Sequence, residues 1–393
     1  MKKIGTGASS RRDERRAVEE ASRQALARLR PAKPSFGFVF ASTRFDLPTA
    51  MADARRETGC ADLLGSSTAG EFTEEGRLDQ GCVVMLVASH GARHRLEFGR
   101  GLRDGHGALA ARFADSALQL KQAERSSGRR HLTTVLLTNG LAGTGEELVA
   151  DMFQKSTSVQ QIVGGASGDD GRFKETFVAA GTECASDAVA ALQVCDSAPW
   201  GIGVDHGLRP TTRPMRVTSS QGSVLHTIEG QPAFEIYRRH ALQRGVLLHQ
   251  DSAASYMIEN ELGVHFFSAL SRARAPLAVR EDGSLVCAAP VPEGSFVSIL
   301  DGEPASMVAA AKSAAEEARS ALGHMKVAGV LLFDCVCRGM ILKSAFAREI
   351  EAVRSIFRDV PIAGFLTYGE IARYAGRLEG WHNATVVVAA IPG

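Results

Sequence analysis

Two stretches far apart in the chain carry the same side chains at the same spacing. Gly65 to Glu71 reads GSSTAGE and runs into Phe72; Gly364 to Glu370 reads GFLTYGE and runs into Ile371. Both fit G-x-x-T-x-G-E plus an apolar residue, and both are soon followed by Gly-Arg-Leu (Gly76 to Leu78, Gly376 to Leu378). Glycines in a sharp turn let the backbone approach a ligand closely. Thr68 and Thr367 would then offer hydroxyls, and Tyr368 a phenol. Glu71 and Glu370 would offer acceptors, or acids where burial keeps the proton on. The plainer alternative is that the glycines make the turn while Thr and Glu satisfy its backbone. Repetition does not separate the two, because duplication copies structural residues as readily as functional ones.

A second constellation ends an apolar run, GVLLFDCVCR, with Asp334, Cys335 and Arg338. A carboxylate, a thiol and a guanidinium at a strand end suit an anionic or zwitterionic ligand, since Arg can hold a carboxylate through two parallel hydrogen bonds. Cys335 is also a candidate nucleophile, with Glu370 or a nearby histidine as base. The same residues read equally as an internal Asp–Arg ion pair beside a cysteine that packs as a small hydrophobe. His206 lies in a loop-like stretch after Asp205, and His382 precedes Asn383 at the start of the last apolar run. A lone histidine can ligate haem iron, although a single histidine is more often structural. Other signatures fail. There is no G-x-x-x-x-G-K-[ST], Gly201-Ile202-Gly203 misses the dinucleotide spacing, Cys335-x-Cys337 lacks a second pair for zinc, and no C-x-x-C-H is present.

The elements around these residues repeat. Residues 13 to 30 carry Val18, Ala21, Ala25 and Leu29 at helical spacing, and Pro31 stops the pattern. FGFVFAS (36 to 42) reads as a strand, a helix opens at Asp46, and Ala61 to Leu64 leads into the first Gly-rich turn. CVVMLVAS (82 to 89) follows, with HRLEFGRGL (94 to 102) expected to pair with it as a hairpin. A second unit starts at HLTTVLLT (131 to 138), continues with a helix over 145 to 155, and reaches GGASGDDG (164 to 171), a degenerate turn. A third starts at GVLLFDCVCR, continues with a helix over 344 to 357, and reaches GFLTYGE. Phe40 to Gly65, Leu137 to Gly164 and Phe333 to Gly364 are similarly spaced, each about one β-α-β unit long. The expected fold is therefore α/β: repeated β-α-β units with Gly-rich turns in two halves, with mixed sheets flanked by helices, arising by duplication. Residues 1–34 read as an N-terminal helix and tail. A boundary is expected near 230, where a Pro- and Thr-rich stretch gives way to Gln231-Pro232 and a helix.

Composition removes several function classes. Lys+Arg (45) and Asp+Glu (44) nearly cancel, so no global basic field exists to hold nucleic acid or an anionic membrane. No apolar run reaches a membrane-spanning length, and Lys2 and Lys3 lead into Gly, Thr and Ser rather than a signal-peptide core. Seven scattered cysteines fit reduced thiols in a cytoplasm.

The motifs GSSTAGEF (65 to 72), GGASGDD (164 to 170), GVDHG (203 to 207), IEGQPAFEIY (228 to 237), LLFDCVCR (331 to 338), GFLTYGEIA (364 to 372) and HNAT (382 to 385) together resemble the FIST family ("F-box and intracellular signal transduction"). The resemblance covers nearly the whole chain, with a FIST N-terminal domain over 35–230 and a FIST C-terminal domain over 231–393. It implies a bacterial, cytoplasmic, non-catalytic sensor of a small ligand. Its most concrete form is haem b-based nitric oxide sensing, acting in trans on a histidine kinase or a cyclic-di-GMP enzyme. Direct binding of an amino acid or similar metabolite, through Thr68, Glu71, Asp334, Cys335, Arg338, Thr367, Tyr368 and Glu370, is the alternative. A thiol-dependent enzyme using Cys335 is the reading from another class. For haem, His206 and His382 lie inside matched motifs and lead as axial ligands. A homo-oligomer is allowed for; nucleic acid and membrane are not.

Overall fold

In a computed structural model, residues 2–78, 80–156, 160–265, 271–373 and 380–393 are described. The expected Gly-Arg-Leu echo at 376–378 lies outside the described residues. Three copies of one unit dominate the chain. Each copy runs edge strand, long helix, central strand, short helix, turn strand, hairpin, closing strand. Unit one is Lys2–Ser9, Glu14–Leu29, Phe36–Ser42, Leu47–Thr58, Leu63–Thr68, the hairpin Glu71–Thr73/Gly76–Leu78, and Cys82–Ser89. Unit two is Arg93–Arg100, Leu102–Ala123, His131–Thr138, Gly145–Lys155, Gln160–Ala166, Val178–Ala180/Glu183–Ala185, and Ala188–Asp196. Unit three is Gly201–Asp205, Pro304–Ala321, Val327–Cys335, Phe346–Phe357, Ile362–Thr367, Glu370–Arg373/Gly380–His382, and Val386–Pro392. Between the edge strand and long helix of unit three sits a nine-stranded antiparallel sheet, from Arg209 to Asp301.

The mixed α/β architecture follows the sequence, but the pairing between units does not. Each six-stranded sheet is ordered edge, closing, central and turn strand, then a hairpin donated by another unit. Unit one donates its hairpin to the sheet of unit three, unit three to that of unit two, and unit two to that of unit one. Central and turn strands pair in parallel in all three sheets, joined by the short helix. That is the crossover a parallel pair requires.

The alternation within each central strand explains its near-continuous apolar run. Phe36, Phe38 and Phe40 face a core shared with Val135 and Leu137 of unit two and Leu331 and Phe333 of unit three. Val39 and Ala41 face the opposite way, toward the two helices of their own unit. Both faces of each sheet are therefore covered, and strands of this kind lose the polar half of the usual alternation.

Two expectations are corrected. The segment 1–34 is more than a helix and tail, because Lys2–Ser9 pairs along its length with the closing strand Cys82–Ser89. Its marker is Gly5-Thr6-Gly7, which matches Gly201-Ile202-Gly203 in the edge strand of unit three. A Cβ on Gly5 or Gly7 would lie 2.2 or 2.1 Å from the carbonyl of Ala25 or Ala21, and one on Gly203 or Gly201 would lie 1.9 Å from that of Ala314 or Ala318. These glycines let a long helix lie directly on an edge strand. Secondly, residues 94 to 102 do not form a hairpin with 82 to 89. Strand Cys82–Ser89 already has both edges filled, by the edge and central strands of unit one. Arg93–Arg100 instead pairs with Ala188–Asp196 in the sheet of unit two.

Candidate functional site

The three Gly-rich turns meet and hydrogen-bond each other in a ring. Ala69 N–H donates to Leu366 O (3.0 Å) and Leu366 N–H to Gly70 O (2.8 Å). Gly168 N–H donates to Ser67 O (3.0 Å), Asp170 N–H to Thr68 O (2.9 Å), Ala166 N–H to Gly369 O (2.7 Å) and Tyr368 N–H to Ala166 O (3.1 Å). Glycine allows this crowding: a Cβ on Gly168 of the second turn would fall 2.7 Å from Ala69 N of the first.

Thr68, Glu71, Thr367 and Glu370 perform the same task twice. Thr68 Oγ1 hydrogen-bonds Glu71 Oε1, and Glu71 Oε2 accepts from Gly81 N–H at 2.8 Å, just before the closing strand of unit one. Thr367 Oγ1 hydrogen-bonds Glu370 Oε1, and Glu370 Oε2 accepts from Thr385 N–H (3.1 Å) and Oγ1–H (2.7 Å), just before the closing strand of unit three. All four side chains are fully buried. Unit two lacks the pair. By register its counterparts are Ser167 and Val178, since Ser66 faces Val178 where Phe365 faces Glu71 and Gly165 faces Glu370. Its acidic residue, Asp169, instead accepts from the N–H groups of Phe173, Lys174 and Glu175 and from the Tyr368 hydroxyl. Burial opposes ionisation there, but these donors hold Asp169 below the usual carboxylate range. Tyr368 also stacks on Phe173 at 4.6 Å.

Burial pushes Glu71 up to about 8 and Glu370 up to about 7. Both folded values lie above the unfolded one, so the folded chain binds more protons through this window. The stabilisation from these protons is complete below the unfolded value and is lost as pH rises through the folded values. Stability is expected to fall between about pH 5 and 8.5, by on the order of a few kcal/mol from these two groups together. Urea denaturation at the two ends of that range measures it. Glu370→Gln should flatten the profile, because an amide can accept from Thr385 and donate to Thr367. A profile that rises with pH, or one unchanged in Glu370→Gln, would contradict the assignment.

Asp334, Cys335 and Arg338 lie beside the third turn; the Thr367 hydroxyl donates to Asp334 O at 3.3 Å. Arg338 is fully buried and all five of its N–H donors are used. Nε and Nη2 bind Glu349 Oε1, Nη2 also binds Met307 O (2.9 Å), and Nη1 binds His206 O (2.7 Å) and Ala384 O (3.3 Å). Asp334 Oδ1 lies 3.2 Å from Nε. Burial, then the charge of Glu349, pushes the Asp334 carboxyl well up. Arg338 therefore ties together the edge-strand loop, both helices and the closing turn of unit three. Burial also pushes the Cys335 thiol well up, the opposite of the depressed value that activates a nucleophilic cysteine. Glu261, on the inserted sheet's side, is buried, and burial and neighbouring Cys337 raise it well above the usual range.

Of the residues singled out from sequence, His206 borders open space. A cleft of about 420 Å³ lies between the loop Val204–Pro210, the first turns of the long helix Pro304–Ala321 and the inserted sheet. Asp205, Arg209, Ser271, Ser306 and Ser313 also line it. A second cleft of about 420 Å³ adjoins it, sharing Arg209, Ser306 and Ala309. Sequence reasoning missed this set. Its serines sit singly in an Ala-rich helix and Arg209 in a Pro-rich stretch, and no local pattern joins them.

Three repeated α/β units around a common core, with a cleft of about 420 Å³ beside the inserted sheet, make up the architecture. Two family models match the chain: the FIST N domain matches residues 35–231 and the FIST C domain residues 233–373. The chain belongs to the FIST family. FIST domains are generally sensor domains of signal transduction that bind small ligands. An uncharacterized protein of Methanocaldococcus jannaschii is 25% identical over 216 residues, which is 52% of this chain and 41% of that protein. An uncharacterized protein of Mycobacterium bovis is 24% identical over 419 residues, 98% of each chain. One of Mycobacterium tuberculosis is 23% identical over 409 residues, covering 97% of this chain and 96% of its own. Among the described residues no helix is long and apolar enough to cross a membrane.

Haem, which the resemblance implies for some members, fits poorly at either candidate histidine. His206 Nδ1 accepts from Leu208 N–H (2.9 Å), so Nε2 carries the proton and faces Ser271 O (3.1 Å). Burial lowers its pKa and keeps the ring neutral. His382 is fully buried, opposite Glu370 in the donated hairpin. An iron porphyrin would have to break the first pair of bonds or open the core around the second.

Proposed function

We propose that this chain is a sensor of a small zwitterionic metabolite of the amino-acid class, bound in the cleft at His206. The observation that carries the proposal is that His206 belongs to the cleft wall while its carbonyl is held by Arg338. Arg338 in turn is anchored beside Asp334, one hydrogen bond from the third turn. A ligand that shifts the 204–210 loop therefore acts on a buried ion cluster and, through it, on the ring of turns. Asp205 offers a carboxylate for an ammonium group, Arg209 a guanidinium for a carboxylate, and Ser306 and Ser313 offer hydroxyls. The volume lies within the usual range for small-molecule sites, about 300–1,000 Å³. On this reading Asp334, Cys335, Arg338, Thr367 and Glu370 transmit the signal rather than touch the ligand. The listener is a histidine kinase or a cyclic-di-GMP enzyme in trans.

Thermal melting against the free L-amino acids, each at millimolar concentration, tests it. A ligand present at a hundred times its Kd adds about 2.7 kcal/mol. At least one amino acid should raise the melting temperature by several degrees, and Arg209→Ala and Ser313→Leu should each weaken that effect about tenfold. A panel without any shift, or a shift untouched by both variants, would sink the proposal. Uptake of added haemin, with a visible band that moves on adding nitric oxide, would replace it with the haem reading.

A further inference from the structure

The helix Ala233–Gln243 of the inserted domain buries Phe234, Ile236, Tyr237 and Ala241 against its own sheet. Its apolar face is thus already used. Yet the chain continues with more apolar side chains that turn outward. Leu242 is 63% exposed, Val246 40% and Leu247 77%. Among the described residues nine large hydrophobic side chains are exposed, and these three fall within six consecutive positions. Single exposed apolar residues are ordinary, but a clustered patch marks an interaction surface. Leu248, the next residue, is buried and fixes the loop.

The patch is concave and charged. A groove of about 340 Å³ runs beside it, with Phe234 and Leu248 at its base and Arg238 and Arg239 along its rim. Glu235 neutralises Arg238 at 2.8 Å, and Arg244 is bound to Asp301 at 2.8 Å. Arg239 has no ion pair among the described residues. The rim therefore carries uncompensated positive charge.

We propose that this surface docks an amphipathic helix of a partner protein whose apolar face fills the groove and whose flanks are acidic. A groove receives side-chain knobs at helical spacing, and complementary charge at the rim speeds and orients the encounter. A second copy is disfavoured because a two-fold contact would bring the two Arg239 side chains toward each other. A lipid surface is disfavoured because a bilayer cannot fill a concave groove. The inference does not depend on what the cleft at His206 binds.

The test uses the full chain and two fluorescein-labelled helical peptides, each with leucines along one face. One carries glutamates on its flanks and the other lysines. Fluorescence anisotropy should show the acidic peptide binding at least about tenfold more tightly than the basic one. Leu247→Asp should cut its affinity about tenfold or more at unchanged melting temperature, because Leu247 is mostly outside the fold. Arg239→Glu should shift the preference toward the basic peptide. The proposal is overturned if neither peptide binds or if Leu247→Asp leaves binding intact. Two further results also overturn it: sedimentation showing a dimer that Leu247→Asp dissociates, or vesicles of anionic lipid holding the wild type but not Leu247→Asp.

Discussion

A chain ending at residue 231, after the FIST N domain, is expected not to fold. The domain models meet at 231–233, but the hairpin exchange crosses that point in both directions. The cut removes Glu370–Arg373 and Gly380–His382 from the sheet of unit two, leaving the turn strand Gln160–Ala166 as a bare edge. It removes Ile362–Thr367, the partner of the hairpin strand Glu71–Thr73, and Val386–Pro392, the partner of Gly201–Asp205. Three unpaired edges invite aggregation. The shared core loses Leu331, Phe333, Phe365, Val387 and Ile391 at once. Burying a large apolar side chain contributes about 1.5–3 kcal/mol, so five such losses rival the whole net stability of a domain, about 5–15 kcal/mol. The fragment should give no cooperative melt and no dispersed amide spectrum, and co-expression with residues 232–393 should restore a soluble complex. A fragment 1–231 that melts cooperatively on its own would show that the exchange is dispensable.

The second large effect is at Arg338. Arg338→Ala leaves Glu349 and Asp334 fully buried beside no cation, and strips donors from three carbonyls, those of His206, Met307 and Ala384. Removing one partner of a buried ion pair costs about 3–5 kcal/mol. Lysine should not rescue it, because three donors on a point charge cannot reproduce the five of a planar fork. Replacing Arg338 and Glu349 together, as Arg338→Met with Glu349→Leu, should recover part of the loss, because the desolvation of that pair disappears with it while Asp334 and the three carbonyls stay without the guanidinium. Urea midpoints of the four proteins decide the matter. An Arg338→Ala chain within 1 kcal/mol of the wild type would mean that the cluster is solvated in solution and holds nothing together.

The local parts of this fold were legible. Apolar runs marked the central and closing strands, Asp13 and Asp46 marked helix starts, and the spacing from Phe40 to Gly65, Leu137 to Gly164 and Phe333 to Gly364 marked the three units. What was not legible is pairing at long range. Ala363 and Thr73 face each other across nearly the whole chain, and nothing within either strand names the other. The edge strands of units one and three were hidden for a related reason. Their signal is glycine repeated at i and i+2 against alanines of the long helix of the same unit, and it shows only when strand and helix are set side by side. At the candidate site, the repeated Thr and Glu were found because they repeat. The cleft residues Arg209, Ser306 and Ser313 were missed because they do not.

Seen as an assembly, the ring has the form of an arm-exchanged trimer written into one polypeptide. A single unit with its hairpin extended has an open sheet edge and a loose arm, and three copies related by a threefold rotation satisfy one another completely. Joining them end to end fixes the number of copies at three and relieves them of having to stay identical. That freedom is visible in the present chain. One copy could give up its buried glutamate for a valine, and another could accept a whole sheet between its first strand and first helix, while the closed ring held them both.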